Sequence, residues 1–360
     1  MGNYQRGQQS SHASRAPRAP GRVYHRSAKP RQNVARTFGE SADWSDHQGC
    51  EALYTNKVVD LLKCLRPGQW MKNVLLFAAP FFAYFDRSQA ESAFVQGMKT
   101  NPLAMLATLG LALAAFVLIS AATYVVNDLH DVKSDSKHPQ KQNRPIVARK
   151  VSFGAAIPLA VLCLGGGFSL ATWVGMRCES LNFLFVCGGY SLLQLAYTFF
   201  AKQLADVGVI LLATGFLLRA VAGAVVAQVY LSSWLMLCVF VGALFVALCK
   251  RRSAFFMKGQ PVPTTNEPRI LDFEIGIAAS VTVACYALYT LAPKTVAHFG
   301  TENLIYTLPL VVLGIFRYVR LTYQDQRAGV PERLFLRDPI LMLTGILWVL
   351  SCGFILGIVG

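Results

Sequence analysis

Apolar residues in this chain come in long uninterrupted blocks. Stretches of about 17 to 25 residues, the length that crosses a bilayer as an α-helix, recur from residue 71 onward. The pattern predicts nine membrane spans, near 71–86, 103–126, 152–175, 181–200, 205–229, 233–249, 274–292, 303–319 and 339–358. The first is short and contains Pro80, so it is expected to tilt or to continue to about Ala93. The fold class that follows is an all-α polytopic membrane protein, with residues 57–360 as the transmembrane domain.

Residues 1–56 break the pattern. They are rich in Arg, Ser, Gln, Gly and Pro, lack the apolar core of a signal peptide, and read as a disordered basic cytoplasmic tail. Such a tail either rests on anionic headgroups or is simply solvated and assists topology.

Charge then orients the spans. Segment 127–151 carries Lys133, Lys137, Lys141, Arg144, Arg149 and Lys150, and the segments 250–273 and 317–338 are similarly basic. The alternate loops hold only Arg87 and Lys99, then Arg177, then Lys294. This is the positive-inside asymmetry. It predicts a multi-pass plasma-membrane protein with a cytoplasmic N-terminus, an outer C-terminus, the lipid bilayer as partner and no nucleic acid. The nine cysteines are scattered, mostly within or beside spans, with no CxxC or Cys/His metal spacing, and read as small apolar fillers.

Acid in such a chain requires a reason. Asn127, Asp128, Asp131 and Asp135 follow the end of an apolar block, and on one continuous helix the three aspartates at i, i+3 and i+7 share a face. Three oxygen-bearing side chains there suit a hard divalent cation, Mg²⁺, which commonly also holds a diphosphate. Helix capping accounts for one such residue and solvation for others, but not for a shared face with Lys133, Lys141 and Arg144 nearby. A second constellation is Tyr197, Lys202, Asp206 and Arg219. Lys202 and Asp206 suit a simple i,i+4 pair. Arg219 lies about 14 residues into an apolar block and is expected to face a polar cavity or a carboxylate partner. The third is Lys250-Arg251-Arg252, either a topology anchor or part of a phosphate clamp.

At these residues the chain resembles the UbiA superfamily of intramembrane prenyltransferases, whose first Asp-rich motif, NDxxDxxxD, is reproduced by Asn127, Asp128, Asp131 and Asp135. Arg66-Pro67-Gly68-Gln69-Trp70-Met71-Lys72-Asn73, the stretch from Asp135 to Pro145 and the Gly215–Gly223 stretch are similar to a narrower branch, the decaprenyl-phosphate phosphoribosyltransferases of actinobacteria. The resemblance covers roughly residues 60 to 358. It implies a UbiA-like bundle with a cytoplasm-facing active-site cavity. It also implies Mg²⁺-dependent transfer of 5-phosphoribosyl from phosphoribosyl pyrophosphate to decaprenyl phosphate or a related polyprenyl phosphate, for arabinan and cell-wall synthesis.

On that basis Asp128, Asp131 and Asp135 hold the metal and diphosphate, with Asn127 orienting or capping. Arg66, Gln69, Lys72, Asn73, Lys133, Lys141, Arg144, Tyr197, Lys202, Arg219, Lys250 and Arg251 are the expected substrate-binding residues. The chain departs from the family pattern twice. The acid of the second motif falls on Gly208, with Asp206 two residues earlier, and in the third motif Cys249 replaces a glycine while Ser253-Ala254-Phe255 supplies no acid. A prenyl diphosphate donor would use the same aspartates. A transporter is disfavoured because the charges gather at one face and no inverted repeat is evident. The small-residue patterns Gly110 to Ala115 and Gly188-Gly189 suit contacts within one bundle or in a homo-oligomer.

Overall fold

The computed structural model describes residues 57–138, 141–256, 267–324, 334 and 337–359. The tail expected at residues 1–56 lies outside them. Every regular element among the described residues is helical. After helical backbone at 57–64, a 3-10 segment (Pro67–Phe77) leads directly into α1 (Ala78–Phe85). There follow α2 (Ala93–Thr100), α3 (Pro102–His130), the short α4 (Val132–Asp135), α5 (Phe153–Arg177), α6 (Asn182–Phe199) and α7 (Ala205–Ala227). The chain continues through α8 (Ser233–Phe255), α9 (Glu267–Leu291), α10 (Pro293–Phe299), α11 (Leu308–Gln324) and α12 (Pro339–Val359).

Among the described residues, seven helices are long and apolar enough to cross a membrane: α3, α5, α7, α8, α9, α11 with the 3-10 turn before it, and α12. The chain is a multi-pass membrane protein. Two predicted spans take other forms. Segment 181–200 is α6, an 18-residue helix whose hydropathy is diluted by Asn182, Gln194 and paired glycines. Segment 71–86 is the 3-10 segment plus α1 and does not continue to Ala93; it ends at Asp86, whose side chain accepts from Ser88 N at 2.9 Å. Pro80 sits in the first turn of α1, where its missing N–H costs little. The 3-10 geometry lengthens this stretch: 11 residues at about 2.0 Å and 8 at about 1.5 Å extend some 34 Å, enough for a hydrocarbon core of about 30 Å.

Several helices outrun the predicted spans. α3 has 29 residues, about 43 Å, so its last turn projects past the hydrocarbon and carries Asn127, Asp128 and His130 with it. α8 runs on through Lys250–Arg252, and α9 begins at Glu267, seven residues before the predicted span. Helical hydrogen bonding does not stop at the membrane boundary, whereas hydropathy does.

Packing depends on close backbone approach, because lipid removes most of the hydrophobic drive between helices. A Cβ on Gly167 of α5 would lie 2.6 Å from Ile119 Cγ1 and 3.1 Å from the Ala115 carbonyl oxygen of α3. Ala112 and Ala115 complete the small face of α3 in the largest core cluster. Large apolar side chains such as Leu103, Leu162, Phe185 and Phe354 point outward, as the surface of a lipid-facing bundle requires.

Candidate active site

Asp128 lies in the last turn of α3 and is buried, at 2% exposure. The helix expected to continue through Asp135 ends at His130. Asp131 is its C-cap, with φ −90° and ψ 4°, and a four-residue helix then turns Asp135 back beside Asp128. The break splits the three aspartates into a pair and a single. Arg144 Nη1 donates to Asp128 Oδ1 at 2.7 Å and to Asp135 Oδ2 at 2.5 Å, so both carboxylates meet one nitrogen. Asp131 turns away and accepts from Lys202 and from His130.

Cations crowd this pair. Arg66 forks onto Asp128, and Lys141 Nζ lies 3.2 Å from Asp135 Oδ1. Arg66 has a left-handed backbone, φ 51°, an uncommon conformation outside glycine; its guanidinium lies over the Tyr124 ring at 5.3 Å. Arg144 reaches the site because its loop is tethered: Ile146 and Val151 are buried against Val125 and Cys64, and Ala148 N–H donates back to the Arg144 carbonyl at 2.8 Å. Burial, followed by the neighbouring charge of Arg66, pulls the Arg144 pKa down. Burial pushes the Asp131 carboxyl up, but Lys202 and His130 outweigh it and hold it below the usual carboxylate range.

The other expected residues are spread through the structure. Lys202 joins the site from the turn before α7, and Tyr197, half-buried, is within electrostatic range of Asp131 and Arg251. Lys72 is partly exposed, with its ammonium 5.8 Å from the Phe216 ring centre. Gln69 and Lys250 are also partly exposed. Lys133 is exposed and takes no part in the ion pairs around the aspartates. Asn127 accepts from Thr198 Oγ1 at 3.4 Å and ties α3 to α6. Asn73, expected to bind substrate, is buried, at 1% exposure. Arg219, 3% exposed, meets no carboxylate among the described residues. It donates to the neutral oxygens of Asn73, Tyr190 and Gly215 instead.

Three features escaped the sequence reading. His130 pairs with Asp131 and its ring nitrogen lies 2.9 Å from Lys202 Nζ; its place inside the aspartate run was the available signal. The acid missing after Arg252 comes from α9, where Glu267 pairs with Arg251 and Asp272 Oδ1 accepts from Arg252 at 2.5 Å. No local spacing could have revealed that pairing. Gly208 stands where the second motif has its acid, and a Cβ there would lie 3.0 Å from the Ala201 carbonyl oxygen, a tight approach that a side chain could make only if the turn shifted.

Among the described residues no three His, Cys, Asp or Glu side chains converge as a metal cluster. Two buried carboxylates directed at one cationic nitrogen nevertheless form a donor set of hard oxygens that fits a divalent cation such as Mg²⁺. A model of the UbiA prenyltransferase family matches residues 92–338. This chain belongs to that family.

Within the family, the chain is 30% identical over 308 residues to the decaprenyl-phosphate phosphoribosyltransferase of Mycobacterium tuberculosis, covering 83% of this chain and 94% of that protein. It is 32% identical over 301 residues to the decaprenyl-phosphate phosphoribosyltransferase of Corynebacterium glutamicum, covering 80% and 84%. A UbiA homologue from Archaeoglobus fulgidus, solved bound to DMAPP and Mg²⁺, shares the fold with a TM-score of 0.60 at 18% identity, over 83% of this chain and 99% of that one.

Proposed function

We propose that this protein transfers 5-phosphoribosyl from phosphoribosyl pyrophosphate to decaprenyl phosphate, or a related polyprenyl phosphate. The products are decaprenylphosphoryl-5-phosphoribose, for arabinan and cell-wall synthesis, and diphosphate. The observation that carries this reading is the surplus of cations around two carboxylates: Arg66, Lys141 and Arg144 contact Asp128 or Asp135, and Lys202 is paired to Asp131 beside them. One diphosphate does not require so many. A donor with a further phosphate on C5 does, and the relatives from M. tuberculosis and C. glutamicum carry the corresponding name.

Asp128 and Asp135 would hold Mg²⁺, which when bound neutralises charge on the diphosphate. Arg144 and Lys141, released from the carboxylates, bind diphosphate oxygens, and the Arg66 fork keeps Asp128 aimed. Lys202 and Lys72 bind the remaining phosphates of donor and acceptor in this reading. An acceptor phosphate oxygen attacks C1 of the ribose; the bond from C1 to the diphosphate oxygen breaks and its electron pair leaves with diphosphate. That oxygen is already ionised at neutral pH, so no protein base is needed. Cationic side chains fixed around the leaving group stabilise the charge it gains.

The nine-span reading, with the site and N-terminus cytoplasmic, the C-terminus outside and the protein in the plasma membrane, accompanies this proposal. Its support is the basic loops at the aspartate end and the sparse charge at the other. The test incubates purified protein with Mg²⁺, polyprenyl phosphate and radiolabelled phosphoribosyl pyrophosphate and counts label in the lipid phase. Lipid labelling that needs Mg²⁺ and is lost in Asp128→Asn supports the reading. Turnover of a prenyl diphosphate with no labelling would replace it with a prenyltransferase.

A further inference from the structure

Arg219 is a guanidinium in the middle of a lipid-embedded helix, and among the described residues nothing in its shell is an anion. Its Nε donates to Asn73 Oδ1 at 2.8 Å, Nη1 to the Gly215 carbonyl oxygen at 2.6 Å and Nη2 to the Tyr190 hydroxyl at 2.7 Å. The rings of Tyr190, Phe216 and Phe116 surround it at 4.7, 5.4 and 5.8 Å. A group so enclosed, at 3% exposure, has its three nitrogens committed and no open side for a ligand.

What it grips is the 3-10 segment Pro67–Phe77. Asn73 also accepts from Ser120 Oγ of α3 at 3.4 Å, so one amide ties the segment to α3 and α7, and Arg219 carries the link on to Tyr190 of α6. Gly223, one turn beyond Arg219 on the same face of α7, lets the backbone of Leu76 press against the helix. A 3-10 run of 11 residues is unusually long and has poorer hydrogen bonds than an α-helix, so it needs such external holds. The segment carries Gln69 and Lys72, follows directly on Arg66, and its Lys72 shares the Phe216 ring with Arg219.

We infer that Arg219 is a positioning residue: acting through Asn73, it seats the 3-10 segment so that Arg66, directly before it, stands at the aspartate pair, and it touches neither substrate. The kinetic part of this inference rests on the phosphoribosyl reading above; the structural part does not.

The test compares Arg219→Lys, which keeps the charge but loses the fork, Asn73→Ala and the double variant, by hydrogen exchange in micelles and by steady-state kinetics. Exchange of 67–77 should rise about tenfold in each single variant while exchange of 102–130 stays unchanged, and the double variant should add little to either. The donor KM should rise several-fold, with a smaller change in kcat. Unchanged exchange at 67–77, or an equal rise across 102–130, would overturn the clamp. Lost phosphoribosyl transfer in wild type would remove the activity reading alone, since the exchange comparison still decides the seating.

Discussion

Gly223 and Leu76 touch backbone to backbone: a Cβ at position 223 would lie 1.7 Å from the Leu76 carbonyl oxygen. Gly223→Ala must therefore displace the 3-10 segment, since neither partner offers a flexible side chain that could yield. The expected cost is at least about 2 kcal/mol, read as a lower melting temperature in micelles. A variant as stable as wild type would mean that the segment is not held against α7 in this way.

The division of the aspartates into a pair and a single predicts unequal losses. Asp128→Asn leaves Arg66 and Arg144 without their shared buried countercharge and should lower transfer at least about 100-fold. Asp131→Asn disturbs only the Lys202 and His130 contacts and should cost nearer about tenfold. Equal losses, measured on lipid-phase label at matched protein amounts, would count against the split.

Arg144 stands where a divalent cation would bring Asp128 and Asp135 together. Replacing it with methionine removes the competing positive charge, so Mn²⁺ should bind more tightly, as free Mn²⁺ measured by electron paramagnetic resonance, while the donor KM rises. Weaker ion binding in Arg144→Met would show that the two carboxylates do not form the ion's seat.

At the start of α12, Asp338 takes a fork from Arg317, with bonds of 3.0 and 2.5 Å, and accepts from Leu341 N at 2.8 Å. The Arg317 hydrogen bonds hold its carboxyl below the usual range despite burial. A depressed folded pKa means that this stability is fully present above the unfolded value of about 3.9 and is lost as pH falls through the lower folded value. Asp338→Asn keeps the cap acceptor for Leu341 N–H but loses the Arg317 ion pair, so it should lower the melting temperature at neutral pH and flatten the acid end of the melting profile. A variant with the wild-type acid slope would assign that slope to other carboxylates.

Much of this architecture was legible in the order of residues. Hydropathy located the seven long helices because lipid demands an apolar exterior on each of them, and the motif Asn127–Asp135 marked the site because acid at a span's end is costly without a partner. The 3-10 form of the first segment was not legible, since its apolar run is equally compatible with an α-helix. Its seat is built by Arg219 and Gly223, well over a hundred residues away.

The sequence alone therefore determined the membrane class, the family motif and the residue types gathered at the site, all of which follow from local composition and spacing. Tertiary structure alone decided which aspartates converge, because the helix break at Asp131 reverses the chain and places Asp135 and Asp128 on one guanidinium. It also decided that Glu267 answers Arg251 and that Arg219 faces neutral partners instead of an acid. Those outcomes depend on distances between helices remote in sequence, and no periodicity within a single helix encodes them.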